Sequence, residues 1–153
     1  MNVIETALQG VLITEPKAFG DARSFFMKTD QAQRYQDAST QGDFIQDNHS
    51  RSQLGVLRGL HKQEEKTHDK LVRCLRGDVF DAAADFSSSL RTLGKYVGLH
   101  LSDENDRQFW ILPGYLHRFV TRSEIVDFEY KCTTYYDPSL EIGLALERPR
   151  SRH

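Results

Sequence analysis

Residues 55–77 read GVLRGLHKQEEKTHDKLVRCLRG, and this stretch decides the reading of the chain. Gly55 opens a short apolar segment that reaches His61, and Gly77 closes the next one. Two strands of this outline, with a histidine on the first, are a familiar frame for a metal. The other residues do not fit that use. Gln63 offers an amide where a second imidazole is wanted, and Lys70 offers an ammonium where a carboxylate is wanted. An ammonium repels a divalent cation, and an amide is a poor ligand for a borderline metal. A neutral imidazole beside a fixed positive charge suits a different task, removal of a proton next to a carbonyl.

Outward from this stretch, the chain is a succession of short runs rich in Val, Ile, Phe, Tyr and Thr, separated by Gly, Asp or Asn. Strands are expected at Val11–Thr14, Phe25–Thr29, Phe44–His49, Gly55–His61, Leu71–Leu75, Asp78–Phe86, Lys95–Leu101, Gln108–Ile111, His117–Thr121 and Val126–Thr134. One short helix is expected near residues 30–38. Many strands and almost no helix imply an all-β sandwich or barrel. With 153 residues and neither repeat nor linker, a single domain over 1–153 is expected, with 147–153 (ERPRSRH) as a tail.

Composition narrows the function. A formal net charge of -2 gives no general attraction to nucleic acid or to an anionic membrane. Apolar runs fall well short of the roughly 20 residues of a membrane helix, and MNVIETALQG lacks the layout of a signal peptide. A cytoplasmic protein is expected. Cys74 and Cys132 then read as reduced core residues rather than a bridge or a metal pair.

Several further positions carry polar chemistry, each with a plain structural alternative. Arg58 lies three residues before His61, a spacing that places strand residues on opposite faces unless a bulge intervenes, and Gly59 could supply one. Gln46, Asp47 and Asn48 are either a solvated strand end or a set of groups for binding a sugar or base. His117, after Gly114 in PGYLHRF, is either an edge-strand histidine or a second site histidine. Tyr130 and Tyr136 fall on one face if the strand is regular, as packing residues or as a proton donor and a stacking surface.

Taken in order, EPKAFGDARSFF, QDNHS, GVLRGLH, KLVRC, GDVFD, GKYVG, RQFWI, GYLHRF and YKCTTYYDP make the sequence resemble the dTDP-4-dehydrorhamnose 3,5-epimerase family from Met1 to about Glu141. The resemblance implies a cupin jelly roll, with no metal and no cofactor. It implies a homodimer in which N-terminal strands are exchanged. The implied substrate is a 4-keto-6-deoxy sugar carried on dTDP, epimerised at C3 and/or C5 through an enolate on the way to dTDP-rhamnose. His61 matches the base, Tyr130 the proton donor, and Lys70 the cation beside the developing oxyanion. Arg58, His117, Gln46, Asp47, Asn48 and Glu141 match substrate-binding positions, and Tyr136 the ring that stacks on thymine. Arg23 and Phe26 match residues that reach the nucleotide from the partner subunit. Asp81 matches the carboxylate that supports His117.

The chain also departs from the pattern. Lys28 stands where the family carries a glutamate that contacts the substrate. Ser24 replaces a glycine, Lys62 replaces an aromatic, and the connection from His61 to Lys70 is one residue short. The family chain is expected to continue past residue 153 with a segment that holds the aspartate orienting the base. On that expectation an impaired dTDP-sugar-binding homologue is the alternative reading. A metal-dependent cupin using His61, Glu65, His68 and His117 is the third.

Overall fold

The computed structural model describes residues 1–37, 43–63, 69–85, 93–135 and 141–143, with side chains for all of these except 59–63 and 141–143. Its strands are β1 (Asn2–Glu5), β2 (Leu12–Glu15), β3 (Ala18–Gly20), β4 (Phe25–Met27), β5 (Gln46–Gln53), β6 (Leu57–Gln63), β7 (Lys70–Arg76), β8 (Asp78–Asp85), β9 (Tyr96–Ser102), β10 (Gln108–Ile111), β11 (Tyr115–Thr121), β12 (Ile125–Cys132) and β13 (Glu141–Gly143). One helix, α1, spans Ala32–Asp37. The ten expected strands and the expected helix are present, with ends moved by a few residues. β1, β3 and β13 were not expected: they are three or four residues long, too short to show a period.

The strands form two antiparallel sheets and a ribbon. A six-stranded sheet runs β1-β2-β10-β7-β12-β5, a five-stranded sheet runs β13-β6-β11-β8-β9, and β3-β4 form a separate pair. This is a jelly-roll sandwich of the cupin type. The chain crosses between sheets at Gly77, which links β7 to β8 at a φ of +88°. A side chain there would be strained, and its Cβ would meet the Ile125 carbonyl oxygen at 2.6 Å.

Period-two alternation builds the core. Along β8, Val79, Asp81, Ala83 and Asp85 are buried while Asp78, Phe80, Ala82 and Ala84 are partly exposed. Val79, Ala83, Leu99, Leu101, Tyr115 and Phe119 of the smaller sheet meet Val72, Cys74, Phe109, Ile111, Val126 and Phe128 of the larger one. Phe119 and Phe128 stack across the gap, with ring centroids 4.3 Å apart. Cys74 and Cys132 are free, buried thiols in this interior.

The outer face of the larger sheet is divided in two. One half is covered by α1: Tyr35 packs with Leu71, Trp110 and Phe44. Beneath this cover Gln108 Oε1 accepts from Thr14 Oγ1 at 2.9 Å and from the Tyr35 hydroxyl. Gln108 Nε2 donates to the Thr29 carbonyl at 2.7 Å. Burial pushes the Tyr35 phenol up to about 12, so it stays a donor. The other half is a ladder of charges: Arg51 and His49 on Asp127, Arg73 on Glu129, and Lys131 on Asp47.

Candidate active site

β6 contains the irregularity that sets the site. His61 lies opposite His117, and Arg58 lies opposite Phe119. Three steps along β6 therefore match two along β11, so one extra residue sits between positions 58 and 61. This β-bulge cancels the alternation that a spacing of three imposes. The expectation placed on Gly59 is met in the backbone. The β11 partner continues to β8, where His117 lies opposite Ala83 and Phe119 opposite Asp81.

His117 is 9% exposed and Asp81 fully buried. His117 Nε2 lies 2.7 Å from Asp81 Oδ1, without the alignment of a regular hydrogen bond, and among the described residues neither Asp81 oxygen has another partner. Burial raises the Asp81 carboxyl above its ordinary range, and the His117 imidazole and the Lys70 ammonium pull it back. The contact sets the Asp81 carboxyl against the His117 ring.

The facing sheet supplies the other wall. Lys70, Val72 and Cys74 alternate with the outward-facing Leu71 and Arg73 on β7, and Val126, Phe128, Tyr130 and Cys132 lie on the inner side of β12. Tyr130 is opposite Val72 on one side and Asn48 on the other. Cys132 is opposite Lys70 on one side and Gln46 on the other. Lys70 and Tyr130 are thus diagonal neighbours on one face, about 7–8 Å apart at the backbone. Lys70 acts electrostatically on both Asp81 and Cys132, so its charge sits between the sheets.

Gln46 Nε2 donates to Asn48 Oδ1 at 3.0 Å, and Asn48 Nδ2 approaches Cys132 Sγ at 3.9 Å. These two amides face the interior. Asp47 between them points to the opposite face, where it accepts from Lys131 Nζ at 2.9 Å. The polar run is therefore split by the strand's alternation, with two members facing the pocket and one on the charge ladder.

Other expected site residues are exposed or border the histidine strand. Arg23 and Phe26 belong to the β3–β4 hairpin, where the Arg23 side chain is 89% exposed, beside Asp21, and Phe26 is 63% exposed. Lys28, just after β4, is also exposed. Arg58 is exposed at the entry to β6. Glu141 begins β13 opposite Gln63, and Gly143 lies opposite His61, so β13 borders the histidine strand. Tyr136, Glu65 and His68 lie outside the described residues, as do the side chains of His61 and Glu141. Among the described residues, no group of three or more His, Cys, Asp or Glu is placed to hold a metal ion.

Sequence reading did not single out Cys132 as part of a pocket wall. Its position two residues after Tyr130, on the same side of an alternating strand, was the available signal. It also passed over Asp69, whose burial is invisible in a polar stretch such as EEKTHDK.

Comparison with known proteins gives the family. The family model for dTDP-4-dehydrorhamnose 3,5-epimerase matches residues 5–152. The enzyme of that name from Salmonella typhimurium is 50% identical over 143 residues, which is 92% of this chain and 78% of that one. The one from Escherichia coli is 46% identical over 94% of this chain and 79% of its own. Among solved structures, the dTDP-6-deoxy-D-glucose-3,5-epimerase of Legionella pneumophila, in complex with dTDP-4-keto-L-rhamnose, superimposes with a TM-score of 0.92. It is 48% identical and is matched over 97% of this chain and 79% of its own. By motif, fold and similarity alike, the chain belongs to the dTDP-4-dehydrorhamnose 3,5-epimerase family.

Proposed function

We propose that this protein, as a single domain, is an isomerase that epimerises dTDP-4-dehydro-6-deoxy-D-glucose at C3 and/or C5 to dTDP-4-dehydro-L-rhamnose, without a cofactor, in the cytoplasm. One observation carries the reading. His61 and His117 are register partners on one sheet, and Tyr130 and Lys70 are diagonal neighbours on the inner side of the other. A flat sugar ring between the sheets has a base on one side and an acid on the other.

The C4 ketone acidifies the hydrogens at C3 and C5. His61 removes one of them, since a neutral imidazole titrates close to working pH. Negative charge moves to the C4 oxygen, where the Lys70 ammonium stabilises it. The Tyr130 phenol returns a proton from the opposite face, which inverts the carbon. His117, held by Asp81, and the amides of Gln46 and Asn48 hold the sugar, and Arg58 takes the diphosphate. Tyr136 stacks on the thymine, Glu141 closes the rim, and Asp47 supports β5 from behind through Lys131.

The protein works as a homodimer through its N-terminal region. Phe19, Phe25 and Phe26 are 54–70% exposed on a ribbon that, among the described residues, joins neither sheet, and β5 is an edge strand of the larger sheet. Docking the ribbon on a second copy covers these rings and brings Arg23 and Phe26 to the partner's nucleotide. Lys28, on the same arm, then meets the ligand with a positive charge and favours its anionic half. The Legionella relative's bound dTDP-4-keto-L-rhamnose supports the ligand class. The family match from residue 5 to 152 argues against the impaired-binder reading.

Incubation with dTDP-4-dehydro-6-deoxy-D-glucose in deuterated water tests the proposal. Deuterium is expected at C3, C5 or both, with formation of the L-rhamno product. Binding of the nucleotide sugar with no exchange at either carbon restores the impaired homologue. Stoichiometric zinc, iron or manganese in the active protein restores the metal-dependent cupin.

A further inference from the structure

Lys70 is the first residue of β7, opposite Ile111 of β10 on one side and Cys132 of β12 on the other. The residue before it is secured on both flanks. Trp110 Nε1 of β10 donates to Asp69 Oδ2 at 3.2 Å. The Asp69 amide donates to Thr133 Oγ1, just after β12, at 2.9 Å, and the Thr133 amide donates to the Asp69 carbonyl at 3.3 Å. β10 and β12 are the two strands that sandwich β7. Asp69 is only 5% exposed, and burial raises its carboxyl above the ordinary range against the Trp110 hydrogen bond. A carboxyl is costly to bury. Here it lies on the outer side of the sheet, away from the pocket, between α1's aromatic cover and the start of β7.

We infer that Asp69 is a positioning residue for the reaction: it pins the first residue of β7 between its two neighbours, and so fixes where the Lys70 ammonium stands relative to the substrate oxygen. Lys70 projects inward from the same peptide that Asp69 anchors outward. A lysine stem has four rotatable carbons, so the site can fix the charge only if the Cα from which the stem starts is itself fixed. Electrostatic stabilisation of a developing oxyanion depends on that preorganisation, and a misplacement of about 1 Å costs on the order of 100-fold in rate. The inference rests on the role proposed for Lys70.

The test is a double-mutant cycle with a conservative rescue. Asp69→Ala is expected to lower kcat for epimerisation about 10- to 100-fold while KM for the dTDP-sugar moves less than about twofold. Asp69→Asn, which keeps an acceptor for Trp110, is expected to recover most of that loss, and Trp110→Phe, which keeps the ring and removes the donor, to reproduce it. In a Lys70→Ala background Asp69→Ala is expected to cost nothing further. An equal loss with and without Lys70, or a failure of Asp69→Asn to recover activity, overturns the inference. A second readout does not depend on turnover. After reductive 13C-methylation, the Lys70 signal, assigned by its loss in Lys70→Ala, is expected to be distinct in the parent and in Asp69→Asn, and to merge with the exposed lysines in Asp69→Ala. One unchanged Lys70 signal in all three overturns the clamp. A parent that exchanges no deuterium overturns the proposed function, and the methyl signal still decides the clamp.

Discussion

In the proposed mechanism Tyr130 and His61 act on opposite halves of one reaction, and their removal should leave different signatures. His61→Ala is expected to abolish deuterium incorporation, since no proton leaves the sugar. Tyr130→Phe keeps the ring and removes the donor. It should slow formation of the epimerised product by about 10²- to 10⁴-fold, with wash-in of deuterium affected less. Mass spectrometry and NMR of the sugar in deuterated water separate the two. Asp81 is a different kind of residue, a buried carboxyl whose charge is matched mainly by His117. Asp81→Ala is expected to cost about 3–5 kcal/mol in urea unfolding and to weaken sugar binding through a loosened His117 ring. At this scale the family was legible in the order of motifs, because each motif fixes particular functional groups at particular spacings. What a side chain does in the second layer was less legible. Asp69 and Asp47 read alike in sequence, as charged residues in polar runs, yet one is buried against Trp110 and the other is exposed on Lys131.

Elements were legible where a period had room to show. The eight residues of β8 alternate without a break, and the expected strand over 78–86 matches them to within a residue. β1 and β3 carry side chains exposed on every residue, so no buried face marks them in sequence. The position of α1 depends less on its own six residues than on what lies beneath it. Gln108 is the hub, joined to Thr14, Tyr35 and Thr29. Gln108→Leu fills similar volume but removes both halves of the amide. The Thr14 hydroxyl and the Thr29 carbonyl lose this buried partner, at about 1–3 kcal/mol for each group left unsatisfied. The expected outcome is a lower urea midpoint together with faster amide exchange over residues 29–37, while exchange in β8 and β11 changes only as the global stability does.

The whole molecule carries two expectations that no single element does. The first concerns assembly. Phe25→Ser with Phe26→Ser should leave the sandwich folded and shift sedimentation from dimer to monomer; retention of a dimer would place the interface elsewhere. The second concerns acid. The Arg51 guanidinium, aided by His49, holds the Asp127 carboxyl down to about 2 from an ordinary 3.8, against the opposing effect of desolvation. A carboxyl depressed on folding stabilises the folded state above its unfolded value, and that contribution is lost as pH falls through the folded value. The stability gap between the parent and Asp127→Asn should therefore shrink as pH drops from about 4 towards about 2, measured by urea titration at each pH. The sandwich was legible in sequence at this scale, because a count of strands without helices leaves few architectures. The ribbon's separation from both sheets was not, because hydrophobic patterning does not say which copy of a chain a strand will meet. The spare residue in β6 has a consequence for how such a protein can change length. Losing one residue between 58 and 61 would remove the bulge and leave a spacing of two, which keeps Arg58 and His61 on one face in the same register. Losing two would leave a spacing of one and turn the pair to opposite faces. A single deletion in this segment should therefore keep turnover and a double deletion should lose it, which a small library of deletions scored for turnover can check.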